Sequence, residues 1–91
     1  MKEKKTTGFI ADQLNRAAFS VALNIAEGSG RFSKADRRNF FTIARSSVFE
    51  CIAILDIQKE QGFVTDIEFE NLENQADELS RILFAMIKNL Q

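Results

Sequence analysis

The clearest helical pattern in the chain covers residues 65–90, TDIEFENLENQADELSRILFAMIKNL. Its apolar residues recur at alternating intervals of three and four, which forms a heptad repeat: Phe69, Leu72, Ala76, Leu79, Leu83, Met86 and Leu90. Thr65 followed by Glu68 is a capping box, and Lys88 suits the last turn of a helix. The pattern predicts a helix over 66–90 with one apolar side available for packing.

Two earlier segments show the same periodicity. The first predicts a helix over 9–27, and Gly28 is expected to end it in the left-handed conformation. The second predicts a helix over 34–61, with Ser33 as N-cap and Gly62 as terminator.

No strand pattern is found, and the absence of proline suits long uninterrupted helices. We therefore predict an all-α antiparallel bundle of three helices. One domain is expected over 9–91, after a basic N-terminal tail over 1–8.

The composition excludes several kinds of catalytic and metal site. The chain has no histidine and one cysteine, Cys51, so it cannot form a His/Cys zinc site, a Cys–His pair or a Ser–His–Asp triad. A single cysteine cannot close a disulfide within the chain, and no apolar run approaches the roughly 20 residues of a membrane span. We expect a cytoplasmic protein that is not an enzyme and requires no cofactor or metal.

Charge is distributed unevenly along the chain. Residues 1–45 carry nine Lys/Arg and four Asp/Glu, whereas residues 46–91 carry three and nine. A basic cluster lies around the start of the second predicted helix: Arg31, Lys34, Arg37, Arg38 and Arg45. These residues are candidates for contacting a nucleic-acid backbone. The alternative is an ordinary solvated face, which the acidic sequence pI of about 5.4 favours.

A second group of polar residues follows one stripe of the first helix and continues on the next: Arg16, Asn24, Glu27 and Glu50. The hypothesis we favour is a buried or half-buried structural network, in which Arg16 pairs with a carboxylate. General acid–base chemistry by the two glutamates is the alternative, with no nucleophile or metal cluster nearby to support it.

The first two helices are apolar over more than one side. Several residues fall outside the apolar stripes that would form the core and are predicted to form an oligomer interface: Phe19, Leu23, Ala26, Ile43, Phe49 and Ile54. A helix that is apolar nearly all round must be covered on both sides, and a second copy of the chain is the expected cover.

One stretch resembles a known bacterial family. It comprises residues 16–31, RAAFSVALNIAEGSGR, followed by an I-A-x-x-S-x-x-E segment over 43–50. The stretch is similar to the R-A-A-x-S-I-P-x-N-I-A-E-G-x-G-R hallmark of a four-helix-bundle family. That family is named after the intervening-sequence protein of 23S rRNA genes and is related to the accessory variability protein of diversity-generating retroelements. Ala22 stands where the family has proline.

The resemblance implies that the three predicted helices are the last three of a four-helix bundle, because nothing in the 91 residues matches the family's first helix. It also implies ring-like homo-oligomers, often pentamers. The retroelement relative binds nucleic acid and a reverse transcriptase, whereas the rRNA-associated members have no settled biochemical role.

Two functional hypotheses follow. The first is a non-enzymatic oligomeric scaffold that engages RNA, DNA or a nucleic-acid-processing protein through the basic cluster. The alternative is a protein–protein interaction module without any nucleic-acid role.

Overall fold

Three helices account for most of the chain in the computed structural model, which describes the backbone of residues 2–91 and the side chains of residues 8–91. They are α1 (Lys2–Ser29), α2 (Lys34–Glu60) and α3 (Asp66–Asn89), joined by short turns. The ends of α2 and α3 lie within one residue of the predicted ends. No strand occurs between residues 2 and 91, and the predicted all-α bundle is confirmed.

The first helix begins seven residues earlier than predicted. Residues 2–8, expected as a basic tail, continue α1 toward the N-terminus, while Met1 lies outside the described residues. Lysine and glutamate are good helix formers, and one interior glycine costs only about 1 kcal/mol, so Gly8 does not interrupt the helix.

Local capping fixes the ends of the other helices as the sequence predicts. The Ser33 hydroxyl accepts a hydrogen bond from the Asp36 amide at 3.1 Å. At the start of α3, the Glu68 amide donates to Thr65 Oγ1 at 3.1 Å, and the Thr65 amide donates to Glu68 Oε1 at 2.9 Å. Hydrogen bonding to the Thr65 backbone amide, followed by the Thr65 side chain, holds the pKa of the exposed Glu68 carboxyl below its usual value.

Gly62 ends α2 in the left-handed region, with φ +82°. Its amide donates to the Lys59 carbonyl at 3.0 Å, and the Phe63 amide donates to the Gln58 carbonyl at 2.9 Å. These two bonds form a Schellman motif and satisfy carbonyls that the helix end leaves without partners.

Gly28 has a different role from the predicted one. It lies inside α1 without a positive φ, so it is not a left-handed cap. A Cβ at this position would lie 2.7 Å from Phe41 Cε1 and 3.1 Å from Phe40 Cβ. The absence of a side chain at Gly28 therefore allows α1 to approach α2 closely.

Helix α2 lies between the other two helices and packs against both, but no Cα atom of α1 comes within 8 Å of a Cα atom of α3 in the described chain. The buried core brings together residues from all three helices: Val21, Phe41, Ala44, Val48 and Leu83. The resulting body is long and thin, with extents of 49 × 23 × 13 Å, and it leaves an open groove between α1 and α3.

Candidate nucleic-acid interface and apolar surfaces

Three of the five predicted basic residues lie together at the turn between α1 and α2. Arg31 forms an ion pair with Glu27 at 3.1 Å, and its guanidinium lies 4.8 Å from the centre of the Phe40 ring. Arg37 Nε donates to the Arg31 carbonyl at 2.6 Å and so braces the turn. Lys34 is exposed in the first turn of α2. These three cations are close in sequence around the turn, and the carboxylates of Glu27 and Asp36 lie on the same part of the surface.

The other two basic residues attach α3 to α2. Arg38 Nη1 donates to the Leu90 carbonyl at 2.7 Å, at the C-terminal end of α3. Arg45 Nε donates to both the carbonyl and the hydroxyl of Ser80, each at 3.1 Å. Their half-buried positions and these bonds give both arginines a structural role.

Arg45 is also held between two aromatic rings, with its guanidinium carbon 5.1 Å from the ring centres of Phe49 and Phe84. We expect Arg45→Gln to lower the free energy of unfolding by about 1–2 kcal/mol, because it removes these contacts and the bonds to Ser80. Lys34→Gln, an equal charge change at an exposed site, should alter stability by less than about 0.5 kcal/mol. Urea denaturation measures the free energy of unfolding of both variants. Equal losses for Arg45→Gln and Lys34→Gln would contradict the structural role of Arg45.

Phe32 is the most exposed large apolar residue of the turn. It is fully exposed (100%) and follows Arg31 directly. A shallow depression beside it is bordered by Glu27, Arg31 and Asp36, so carboxylates and a cation share this surface. The turn thus presents an uncovered aromatic ring beside Arg31, with two carboxylates on the same surface.

The four residues predicted as one polar network do not come together. Arg16 pairs with Asp12 at 3.1 Å on an exposed part of α1, Glu27 pairs with Arg31, and Glu50 is exposed. Among residues 8–91, no hydrogen bond joins two of the four side chains. Arg16 and Glu27 thus pair with residues one helical turn away on or next to α1, and these two charges need no inter-helix network.

The polar bridge between α1 and α2 uses serines instead. Ser20 and Ser47 share a hydrogen bond at 2.8 Å, and Asn24 Nδ2 donates to the Ser20 carbonyl at 2.8 Å and to its hydroxyl at 3.1 Å. Ser47 is buried and also donates to the Ile43 carbonyl. Of the predicted network, only Asn24 takes part. The sequence signal for this bridge was that Ser20 and Asn24 lie on one stripe of α1. The sequence did not identify Ser47 of α2 as their partner.

The residues predicted to form an oligomer interface are mostly uncovered in the single chain. On α1, Phe19 is 63% exposed, and Leu23 and Ala26 are exposed beside it. On α2, Ile43 and Phe49 are exposed, whereas Ile54 is half-buried. These residues remain available for a partner.

A second apolar surface, which the sequence did not reveal, is the groove between α1 and α3. It has a volume of about 420 Å³ and is floored by α2 residues including Val48, Ile52 and Leu55. Ala18 borders it on α1, and Leu72 and Leu79 border it on α3.

Cys51 also lines the groove. Burial, followed by the nearby charge of Glu50, raises the pKa of its thiol. A raised pKa keeps the thiol protonated and is opposite to what a nucleophilic cysteine requires.

The described residues contain no group of three or more His, Cys, Asp or Glu side chains arranged to hold a metal ion. Among the described helices, none has a stretch long and apolar enough to cross a bilayer.

Comparison with known proteins places the chain in a family. No significantly similar curated protein or solved structure was found. The sequence profile described as "23S rRNA-intervening sequence protein" matches residues 2–85, which span parts of all three helices. The chain therefore belongs to the 23S rRNA-intervening sequence protein family.

Proposed function

We propose that this chain is a non-enzymatic, homo-oligomeric helical scaffold that binds single-stranded nucleic acid at the turn between α1 and α2. The observation that carries the proposal is the fully exposed ring of Phe32 beside Arg31, with Lys34 and Arg37 two and five residues further along the chain. Aromatic rings next to cations bind single strands by stacking on bases while the cations contact phosphates. The family's name, which refers to 23S rRNA, is consistent with this class of partner.

The ion pair at the turn is compatible with phosphate binding. Arg31 and Glu27 are both about half-exposed, and such surface pairs contribute only about 0–1 kcal/mol. A phosphate can therefore replace Glu27 as the partner of Arg31. Arg37 uses Nε to hold the turn, which leaves its other guanidinium nitrogens for a second phosphate. The proposal assigns no catalysis because Glu27 is ion-paired and the Cys51 thiol has a raised pKa.

The test is fluorescence anisotropy with labelled single-stranded and duplex RNA and DNA, from low salt to above physiological salt. We expect single strands to bind more tightly than duplexes and affinity to fall steeply with salt. Phe32→Ala should weaken binding about 10- to 100-fold through lost stacking. Lys34→Gln should reduce the slope of log K against log salt by about 0.7, because one phosphate contact is lost.

The matched control is Arg81→Gln, which removes an exposed cation of α3 that pairs with Asp77. It should leave the affinity unchanged. Absence of binding at low salt, or equal losses for Arg81→Gln and Lys34→Gln, would overturn the nucleic-acid proposal.

A protein–protein interaction module without a nucleic-acid role is the second candidate. The uncovered apolar groove and the exposed side chains of Phe19 and Leu23 favour it. In that case an amphipathic helical peptide should raise the melting temperature of the protein, while nucleic acid should leave it unchanged.

A further inference from the structure

A cleft lies along the line where α2 meets α3, on the other side of that contact from the groove. Its volume is about 160 Å³. Most of its lining is apolar, and two carboxylate residues of α3 complete it: Val48, Phe49, Ile52 and Ala76, with Glu73 and Asp77. An apolar cavity of about 150 Å³ is large enough for a benzene ring. The cleft therefore has room for one aromatic side chain of a partner.

The surroundings of the cleft are typical of an uncovered contact surface. Phe49 and Phe84 are 53% and 51% exposed, although Arg45 lies between their rings. Such exposed apolar patches mark interaction sites. Asp77 pairs with Arg81 at 3.2 Å, but among the side chains of residues 8–91 no cation forms an ion pair with the exposed Glu73. A partner that brings an aromatic ring beside a cation would complement this surface.

The side of α1 that points away from α2 carries this combination. Phe19 is 63% exposed and lies about 160° around the helix from the buried Val21. Arg16 is one turn before Phe19 and about 60° from it around the helix. The Arg16 side chain is 74% exposed, and its pair with Asp12 is of the surface kind that contributes little. Arg16 is therefore available to a carboxylate of another chain.

We propose that copies of the chain assemble head to tail, with Phe19 of one copy inserted into the cleft between α2 and α3 of the next. Arg16 of the first copy then pairs with Glu73 of the next. Neighbouring copies are related by a rotation about an axis parallel to the helices. The groove between α1 and α3 takes no part in this contact and remains open. This inference rests on the oligomeric part of the proposed function.

Hydrogen bonds between the helices fix the relative heights of residues along the bundle. Ser20 of α1 bonds to Ser47 of α2 at 2.8 Å. Arg45, two residues before Ser47, bonds to Ser80 of α3. Because neighbouring helices run in opposite directions, Ser20 is level with about residue 78 of α3.

These heights bring both proposed contacts together. Phe19 is level with Asp77 beside the cleft, and Arg16 is level with the residue next to Glu73. A rotation about an axis parallel to the helices leaves heights unchanged, so the aromatic contact and the ion pair form at the same time. Leu23, which is 49% exposed, is then within about one helical turn in height of Phe84.

The contact joins two different surfaces, so it is heterologous, and each copy offers one surface of each kind to its neighbours. Such contacts continue until a ring closes. Equal heights mean that no translation along the axis accompanies the rotation, which favours a closed ring over a helical filament. The assembly therefore contains more than two chains.

The first test is sedimentation equilibrium at micromolar concentration. The native chain should have more than twice its 10.3 kDa mass. Phe19→Asp should weaken association at least about 100-fold, because it places a charge in an apolar cleft beside two carboxylates. The control is Ile67→Asp, the same kind of change at a 76% exposed site on the outer side of α3, which should leave the mass unchanged. Circular dichroism should show equal helix content in both variants.

The second test is a charge reversal across the contact. Arg16→Glu and Glu73→Arg should each weaken association at least about 10-fold, because like charges then face each other. The variant with both changes should recover to within about threefold of the native affinity. The control combines Arg16→Glu with Glu78→Arg, which has the same net charge. Glu78 is exposed and about 140° from Glu73 around α3, so this variant should not recover.

A monomeric mass, or the mass of two chains, overturns the head-to-tail assembly. An oligomer that Phe19→Asp leaves intact, or equal recovery with Glu73→Arg and Glu78→Arg, overturns the proposed contact. The anisotropy assay reads the nucleic-acid proposal separately. An oligomer that depends on Phe19 but binds no single strand would reject that proposal and support this inference, whereas a monomer that binds single strands would do the opposite.

Discussion

Leu83→Ala is expected to lower the free energy of unfolding by about 3 kcal/mol, within the range of 2–5 kcal/mol for fully buried leucines. Leu83 is 1% exposed, the largest fully buried side chain of the described core. Leu83 of α3 belongs to the same buried cluster as Phe41 and Val48 of α2. Truncation leaves a cavity in the core that the described residues of all three helices form together. For a domain of this length, the loss corresponds to a melting temperature lower by about 12–24 °C.

The control for this prediction is Ile67→Ala in the first turn of the same helix. Ile67 is 76% exposed, so its truncation should change stability by less than about 0.5 kcal/mol. Thermal and urea denaturation should be followed by circular dichroism at one protein concentration, since association would add to the apparent stability. Similar losses for the two variants would mean that α3 does not pack through Leu83.

The second large effect is expected for Gly28→Ala. The new Cβ would lie 2.7 and 2.9 Å from two carbons of the Phe41 ring, and Phe41 is only 4% exposed. Overpacking of this kind costs about 1–3 kcal/mol. Alanine is the better helix former by about 1 kcal/mol, but that gain should not offset a forced separation of α1 from α2.

Gly8→Ala is the matched control because the same substitution is made in the same helix. A Cβ at Gly8 meets nothing within 4 Å, so only the helix propensity changes. We expect it to raise stability by up to about 1 kcal/mol. Shifts of the denaturation midpoint in opposite directions for Gly28→Ala and Gly8→Ala would separate the effect of close packing from the effect of helix propensity. A gain in stability at both positions would show that Phe41 moves aside easily.

Much of the fold could be predicted because it depends on neighbours in the sequence. The capping box at Thr65 and the N-cap at Ser33 involve atoms three residues apart, so residue types alone identify them. The heptad repeat of α3 likewise specified its packing side, with Phe69 and Leu83 buried. The start of α1 was missed, since residues 2–8 have good helix formers but no apolar repeat to reveal them.

The candidate site could be predicted only in part, because side chains choose partners in three dimensions. Arg31, Lys34 and Arg37 are close in sequence and remain together at one turn. Arg38 and Arg45 appeared equivalent to them, but their partners lie 52 and 35 residues away on α3. Sequence spacing cannot indicate which cation will meet the carbonyls of another helix.

The sequence by itself determined three helices, their caps, their apolar sides and the resemblance that the family match confirms. These properties follow from interactions over one or two helical turns. Only the tertiary structure decided that Gly28 is a contact point, that Ser20 and Ser47 bridge two helices, and that α1 and α3 remain apart. The physical reason is that each of these features depends on the distance between helices, which is set by how all the side chains of the core fit together.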